Sequence, residues 1–205
     1  MTRLVRIGVL NYGVGNLFSV VSGLRRLGAE VDLLESLSGV EPDGLVLPGV
    51  GNFTEGAKNI HAHREKVIDL VDAGTPTLGI CLGMQLLFEE SEEGEGKGLS
   101  LFRGKVVKLR TSAKLPHIGW NRLLLVRRSE LLEDVSSGEW VYFVHTFAPD
   151  PHDESIVLSL THYGDTDFPS VVGSNNLFGT QFHPEKSGET GKKILRNFVK
   201  LCVRR

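Results

Sequence analysis

The sequence predicts an α/β fold in a single domain, a central and mostly parallel sheet flanked by helices with antiparallel additions. Three observations carry that expectation. Short apolar runs alternate with helix-period segments through the first half, glycines punctuate their junctions, and the second half is dense in short strand candidates with little helix between them. Residues 4–10 read as a buried strand. A turn over 11–16 follows, then Leu17, Val20, Val21, Leu24 and Leu27 recur at helical spacing before Gly28 closes the helix. Residues 31–34 and 44–47 give two more strands, the latter ending in Pro48. A helix over 54–73 is closed by Gly74. Residues 77–81 form a fourth strand that turns at Gly83 into an apolar helix carrying Met84, Leu86, Leu87 and Phe88. Strand and helix in alternation build a parallel sheet covered on both faces.

The second half offers strands over 105–109, 123–126, 141–144, 156–161, 170–172 and 179–182, read as antiparallel additions to the sheet. The segment 187–205 reads as a helix with an apolar stripe of Ile194, Leu195, Phe198, Val199 and Cys202. Glu189 at its start and Arg204 with Arg205 at its end suit the helix dipole. Neither a repeat nor a low-complexity linker interrupts the chain, so residues 1–205 are read as one domain.

Composition narrows the function classes. With 23 Lys plus Arg against 25 Asp plus Glu the net charge is −2, which argues against nucleic acid as a partner. Of the residues, 40% are hydrophobic and 23% charged, a globular balance. The 2 cysteines, Cys81 and Cys202, make neither a disulfide framework nor a close zinc-binding pair, so a reducing cytoplasm is expected. The apolar run within residues 1–10 is too short for a signal peptide. The uncharged stretch 73–88 is broken by Gly74, Pro76, Gly79 and Gly83, so no membrane span is expected. His61 and His63 stand two apart on the expected helix and face different ways, so no metal site is assigned. Glu89, Glu90, Glu92, Glu93 and Glu95 read as a solvated loop. There is no Walker-type phosphate loop, and Gly13-Val14-Gly15 fails the dinucleotide fingerprint because Phe18 stands at its third glycine. No cofactor is expected.

Chemistry concentrates in two places. Gly79-Ile80-Cys81-Leu82-Gly83 has the glycine-x-nucleophile-x-glycine spacing of a nucleophile elbow with cysteine in the central place. Such a turn lifts the thiol off a strand end onto a helix N-terminus, where unpaired N–H groups favour the thiolate and the Leu82 N–H can meet an oxyanion. Read alone, the segment also suits a buried structural cysteine. A cysteine nucleophile needs a base and the base an orienting group. His183-Pro184-Glu185 supplies both, since Pro184 favours an extended His183 and Glu185 can then fix the imidazole tautomer. A surface turn capped by Ser187 is the plainer reading of that tripeptide.

A cysteine elbow followed by His-x-Glu near the C-terminus of an alternating α/β chain resembles the class I glutamine amidotransferases, a flavodoxin-like fold. Asn11-Tyr12-Gly13-Val14-Gly15-Asn16, Leu47-Pro48-Gly49-Val50-Gly51-Asn52-Phe53, Cys81-Leu82-Gly83-Met84-Gln85, Pro116-His117-Ile118-Gly119-Trp120-Asn121, Tyr142-Phe143-Val144-His145-Thr146 and Gln181-Phe182-His183-Pro184-Glu185-Lys186-Ser187-Gly188 together resemble one branch, the glutaminase subunits of imidazole glycerol phosphate synthases. Sister subunits more often carry Gly-His where this chain has Gly83-Met84.

The resemblance implies that Cys81 attacks the carboxamide of L-glutamine while His183, held by Glu185, moves the protons. It implies an oxyanion hole from Val50, Gly51 and Leu82, and glutamine contacts from Gly49, Gln85, His145 and Thr146. In similar proteins the Val50 N–H is held turned away until a partner binds its ligand. The implied partner is a (β/α)₈ cyclase subunit in a heterodimer, which receives ammonia through a channel and carries out the lyase step of histidine biosynthesis. Asn11, Pro116, Trp120, Tyr142 and Lys186 are its implied contacts. Phe147 departs from the pattern, since relatives usually have tyrosine there. Two alternatives stay open at this stage. One is a stand-alone cysteine hydrolase or peptidase, in which histidine often follows the nucleophile where this chain has Leu82, and the other is a silent scaffold. Taken singly, Trp120 also suits an ordinary aromatic anchor, Gln85 a solvent-facing helix residue and His145 a strand end.

Overall fold

A computed structural model describes residues 4–203; the expected terminal charges Arg204 and Arg205 lie outside the described residues. The first half alternates as expected. Strand β1 (Arg6–Leu10) leads to helix α1 (Leu17–Arg25), whose N-terminus is capped by the Asn16 side chain. Strands β2 (Glu30–Leu34) and β3 (Gly44–Leu47) follow, then helices α2 (Phe53–Ile60) and α3 (Arg64–Asp72), strand β4 (Thr77–Ile80) and the short helix α4 (Leu82–Gln85). The continuous helix expected over 54–73 is divided by a 3-10 turn at His61–His63. No side chain of that turn is buried, so no packing enforces α-helical register there.

The remaining strands are β5 (Glu90–Ser91), β6 (Gly104–Lys108), β7 (His117–Arg122), β8 (Leu124–Leu125), β9 (Trp140–His145), β10 (Phe147–Pro151), β11 (Val157–Tyr163), β12 (Thr166–Ser174) and β13 (Leu177–Thr180). A 3-10 turn at Pro184–Lys186 precedes the last helix, α5 (Gly188–Val203). The central sheet has 8 strands in the order β2-β1-β3-β4-β13-β12-β11-β8. Pairing is parallel from β2 to β13 and antiparallel beyond it. The expected antiparallel additions thus hold for β8, β11 and β12. They do not hold for β6 and β9, which leave the central sheet: β6 lies between β10 and β5, and β9 pairs with β7 alone. Nor do they hold fully for the run expected over 179–182, since β13 pairs parallel with β4 and is antiparallel only to β12.

The sheet separates two apolar layers, because successive side chains of a strand point to opposite faces. Val46, Leu78 and Ile80 face α1 and α5, where they meet Val20, Leu24, Ile194, Leu195 and Phe198. Leu45 and Leu47 face the opposite way and pack with Phe53, Ile60, Val67 and Leu70 of α2 and α3 and with Leu82 and Leu86. Cys202 lies on the apolar stripe of α5 and is buried, as the sequence pattern indicates.

Candidate active site

Adjacent strands β4 and β13 run parallel with Ile80 opposite Thr180, so the residues just past both C-terminal ends emerge side by side. The Cys81 N–H donates to the Thr180 carbonyl at 2.7 Å, which ties the two exits together. This register brings Cys81 and His183 to one place from positions far apart in sequence.

Cys81 sits at φ 54° and ψ −107°, backbone angles that cost a non-glycine residue about 1–3 kcal/mol. The flanking glycines permit the turn. A Cβ on Gly79 would stand 2.6 Å from the Gly83 carbonyl oxygen, and a Cβ on Gly83 would overlap the Leu47 carbonyl. The strain presents the sulfur at the start of α4, where the Leu82 N–H has no partner within the helix.

His183 Nδ1 and Glu185 Oε1 are 2.8 Å apart, and both side chains are buried. Burial works against the imidazolium, yet Cys81 and Glu185 on either side of the ring outweigh it and raise His183 to about 10. Nε2, the ring nitrogen that Glu185 leaves free, makes no well-formed hydrogen bond. Such loose geometry is common in a resting nucleophile–base pair. Ser187 is buried and does not lie on a surface turn. Its Oγ donates to the His183 carbonyl at 2.6 Å and accepts the Tyr142 N–H at 3.0 Å, while the His183 N–H donates to the Tyr142 carbonyl at 3.0 Å. The loop bearing His183 is therefore fastened to β9.

The segment after β3 approaches the elbow closely. A Cβ on Gly49 would stand 2.8 Å from Leu82 Cβ and 2.9 Å from Gly83 N, and Tyr12 anchors the segment through its hydroxyl on the Pro48 carbonyl. Gly51 has φ 125°, a conformation that L side chains rarely adopt. Val50 and Gly51 then line a cavity of about 230 Å³ together with Cys81, Leu82, Gln85, Glu93, Pro116 and the segment Val144–Phe147. A larger cavity of about 410 Å³ lies elsewhere, between β6, β10 and β12, and contains neither the cysteine nor the histidine.

Of the residues singled out in the sequence, Val50, Gly51, Cys81, Leu82, Gln85, His145 and Thr146 meet at this cavity, with His183 and Glu185 behind Cys81. Gly49 is buried at the rear, its role one of close approach. Pro116, expected at a partner face, lines the cavity. Gln85 is buried and hydrogen-bonded, not solvent-facing. Trp120 is 53% exposed with its ring against Tyr142; Lys186 is exposed and Asn11 half-buried. Glu93 was missed in the sequence. Far from being wholly solvated, the acidic run supplies Glu89 to the Gly104 N–H, Glu92 to Arg110 and Lys108, and Glu93 to the first N–H of α2 at 2.7 Å.

A pair of neutral histidines stands behind the cavity. His145 Nδ1 lies 2.9 Å from the Phe147 carbonyl, which can only accept, so Nδ1 carries the proton and Nε2 accepts from His117 Nδ1 at 3.1 Å. Burial lowers His117 to about 4. Burial, only partly opposed by the Phe147 carbonyl, lowers His145 to about 3. Both values lie below the ordinary 6.5, so on acidification the unfolded chain takes up these protons first. Their contribution to stability is present above about pH 6.5 and is lost as pH falls, at about 1.4 kcal/mol per pH unit for each ring. Denaturant titrations between about pH 6 and about pH 5 should show this slope, and His117→Phe should reduce it by one ring's share. An unchanged slope would refute the assignment.

The family model for glutamine amidotransferase class-I matches residues 9–202. The chain is 46% identical over 220 residues to the imidazole glycerol phosphate synthase subunit HisH of Haloarcula marismortui, covering 95% of this chain and 94% of that one. It is 48% identical over 212 residues to the subunit of the same name from Geobacillus kaustophilus, covering 97% and 98%. Among solved structures, PurLQS from Thermotoga maritima superposes with a TM-score of 0.74 at 21% identity, covering 97% of this chain and 99% of that one. A glutamine amidotransferase from Thermotoga maritima gives 0.71 at 16%, covering 99% and 100%. Those two likenesses concern the fold. The elbow, the mixed sheet and the match along nearly the whole chain agree: this protein belongs to the class I glutamine amidotransferase family.

Proposed function

We propose that this chain is the glutaminase subunit of an imidazole glycerol phosphate synthase and acts in histidine biosynthesis, hydrolysing L-glutamine and passing the ammonia to a cyclase partner. The observation that carries the chemistry is the elbow cysteine facing a buried His183–Glu185 pair at the edge of a cavity bounded by the 49–51 segment. The Cys81 thiolate adds to the side-chain carbonyl carbon of glutamine, and the oxygen takes the negative charge towards the Leu82 and Val50 N–H groups. Collapse breaks the carbon–nitrogen bond as the His183 Nε2 proton passes to the leaving nitrogen, giving ammonia and a glutamyl thioester. Water then adds to the thioester carbonyl while Nε2 takes its proton. The carbon–sulfur bond breaks and glutamate leaves. Proton transfer of this kind contributes about 10²- to 10⁴-fold. Glu185 keeps Nδ1 as the donor side of the ring throughout and offsets the imidazolium charge.

Glutamine also brings an α-ammonium, and Glu93 is the carboxylate that lines the cavity, so it is assigned to that group. The partner is assigned to the exposed face carrying Ile118 and Trp120, side chains that alternate outward along β7, with Tyr142 against the Trp120 ring; Asn11, Pro116 and Lys186 are its further contacts by resemblance. The lyase chemistry expected of the complex belongs to that partner, not to this chain. Two unpaired buried cysteines favour a reducing compartment, read here as cytoplasm, and no described helix is long and apolar enough to cross a membrane.

The deciding measurement is glutamate release by the chain alone, with the cyclase subunit, and with cyclase plus its nucleotide ligand. A stepwise rise is expected. Supplying one oxyanion donor late, by rotation of the Val50 peptide, is worth about 10²- to 10³-fold. Equal rates in all three conditions would overturn that coupling.

A further inference from the structure

The Cys81 sulfur has two polar neighbours besides His183. As a thiol it can donate to the Val144 carbonyl at 3.8 Å, and as a thiolate it can accept from Gln181 Nε2 at 3.7 Å. Gln181 is completely buried at the first position past β13 and takes no part in the mechanism derived above. Which end of its amide faces the sulfur is fixed by its neighbours. The Phe147 carbonyl can only accept, so Gln85 must turn its NH₂ towards it, at 2.9 Å. The same nitrogen stands 3.2 Å from Gln181 Oε1, which must then be the acceptor. Gln181 is left with its own NH₂ for the sulfur. The opposite arrangement would set the Gln85 carbonyl against the Phe147 carbonyl, two acceptors with no hydrogen between them. The Phe147 carbonyl also accepts from His145 Nδ1, so one backbone oxygen orders the amides on one side and the imidazoles on the other.

We propose that Gln181 is a further catalytic residue, which donates an N–H to the Cys81 sulfur and stabilises the thiolate, its amide oriented through Gln85 by the Phe147 carbonyl. The inference rests on Cys81 being the nucleophile. The donor opposes the Val144 carbonyl, which favours the neutral thiol. It differs from His183, which also moves a proton: Gln181 keeps its hydrogen in every step and acts only on charge. Tyr12, His145, His183 and Glu93 also face Cys81 or its cavity, and all of them are retained in a Gln181 variant.

The test is the pH profile of Cys81 alkylation by iodoacetamide in the full chain, with the modified cysteine identified by mass spectrometry. Sulfur and imidazole titrate together, so the midpoint read is that of the pair. Gln181→Met removes the donor at similar length and should raise the midpoint by about one pH unit, slowing alkylation about tenfold below it. Gln181→Glu, which turns an acceptor to the sulfur, should raise it further. Should Gln181→Met fail to fold, Gln181→Asn keeps a buried amide and withdraws the donor by one methylene, and the same rise is expected. An unchanged midpoint in a variant with native circular dichroism overturns the inference. If Cys81 in the unaltered chain shows no selective alkylation at any pH, the nucleophile reading itself falls, a different outcome from an unmoved midpoint.

Discussion

Replacing Cys81 with alanine is expected to lower glutamine-dependent turnover by about 10⁶-fold, the scale on which a nucleophile acting as a unit with its base is lost. The side chain is buried and its loss removes one sulfur atom, so the fold should survive. A complex of Cys81→Ala with the cyclase should still make product from ammonium salts, because the substitution leaves everything downstream of ammonia untouched. His183→Ala should cost a comparable factor, and the double variant little more than either single change, since each disables the same step. Glutamate release within tenfold of the unaltered complex would sink the assignment of Cys81. Loss of ammonium-driven synthesis would show instead that the substitution had disturbed the partner.

The second large effect concerns folding. Gly83→Ala is expected to destabilise the protein by at least about 3 kcal/mol, because the new methyl would overlap the Leu47 carbonyl, a backbone atom in the middle of the sheet. Relief requires moving β3 away from α4, against its pairing with both β1 and β4. Gly28→Ala provides the contrast. Its φ of 87° is strained for alanine, but nothing lies within 4 Å, so about 1 kcal/mol is expected there. Chemical denaturation of the two variants decides between collision and backbone strain as the reason for the glycine at 83. Equal losses would mean that the close approach of elbow and sheet is softer than the geometry implies.

The parts of this fold legible in the sequence are those where local pattern and burial agree. The run at 44–47 carries no polar side chain and that at 77–81 only Thr77, as suits parallel strands covered on both faces, and each is placed within a residue. The elbow was legible because glycines are needed on both sides of Cys81, and the His183–Glu185 pair because Pro184 stiffens the segment between them. Strand β10 escaped notice because it contains Pro149 and Pro151; it lies at the edge of its sheet, where a missing N–H is tolerated. Strand β7 was hidden by Gly119, at φ 132°, and by apolar residues that face outward. Glu93 and Gln181 left no local signal. Glu93 sits among four other glutamates, and its distinction is three-dimensional, a carboxylate folded back over the start of α2. Gln181 opens the segment Gln181–Gly188, yet nothing local marks it for the sulfur, since its partners Gln85 and Cys81 come from 96 and 100 positions away.

The clasp formed by Ser187, Tyr142 and His183 makes the imidazole a passenger on an outer ribbon of the molecule. Its amide and carbonyl are both pinned, one directly to Tyr142 and one by way of the Ser187 hydroxyl. A push that slides β9 by a fraction of an ångström must either drag the ring relative to the sulfur or snap a 3.0 Å tie. Isotope exchange at the His183 amide therefore serves as a strain gauge, its protection falling whenever something leaning on the Tyr142–Trp120 side loosens the fastening.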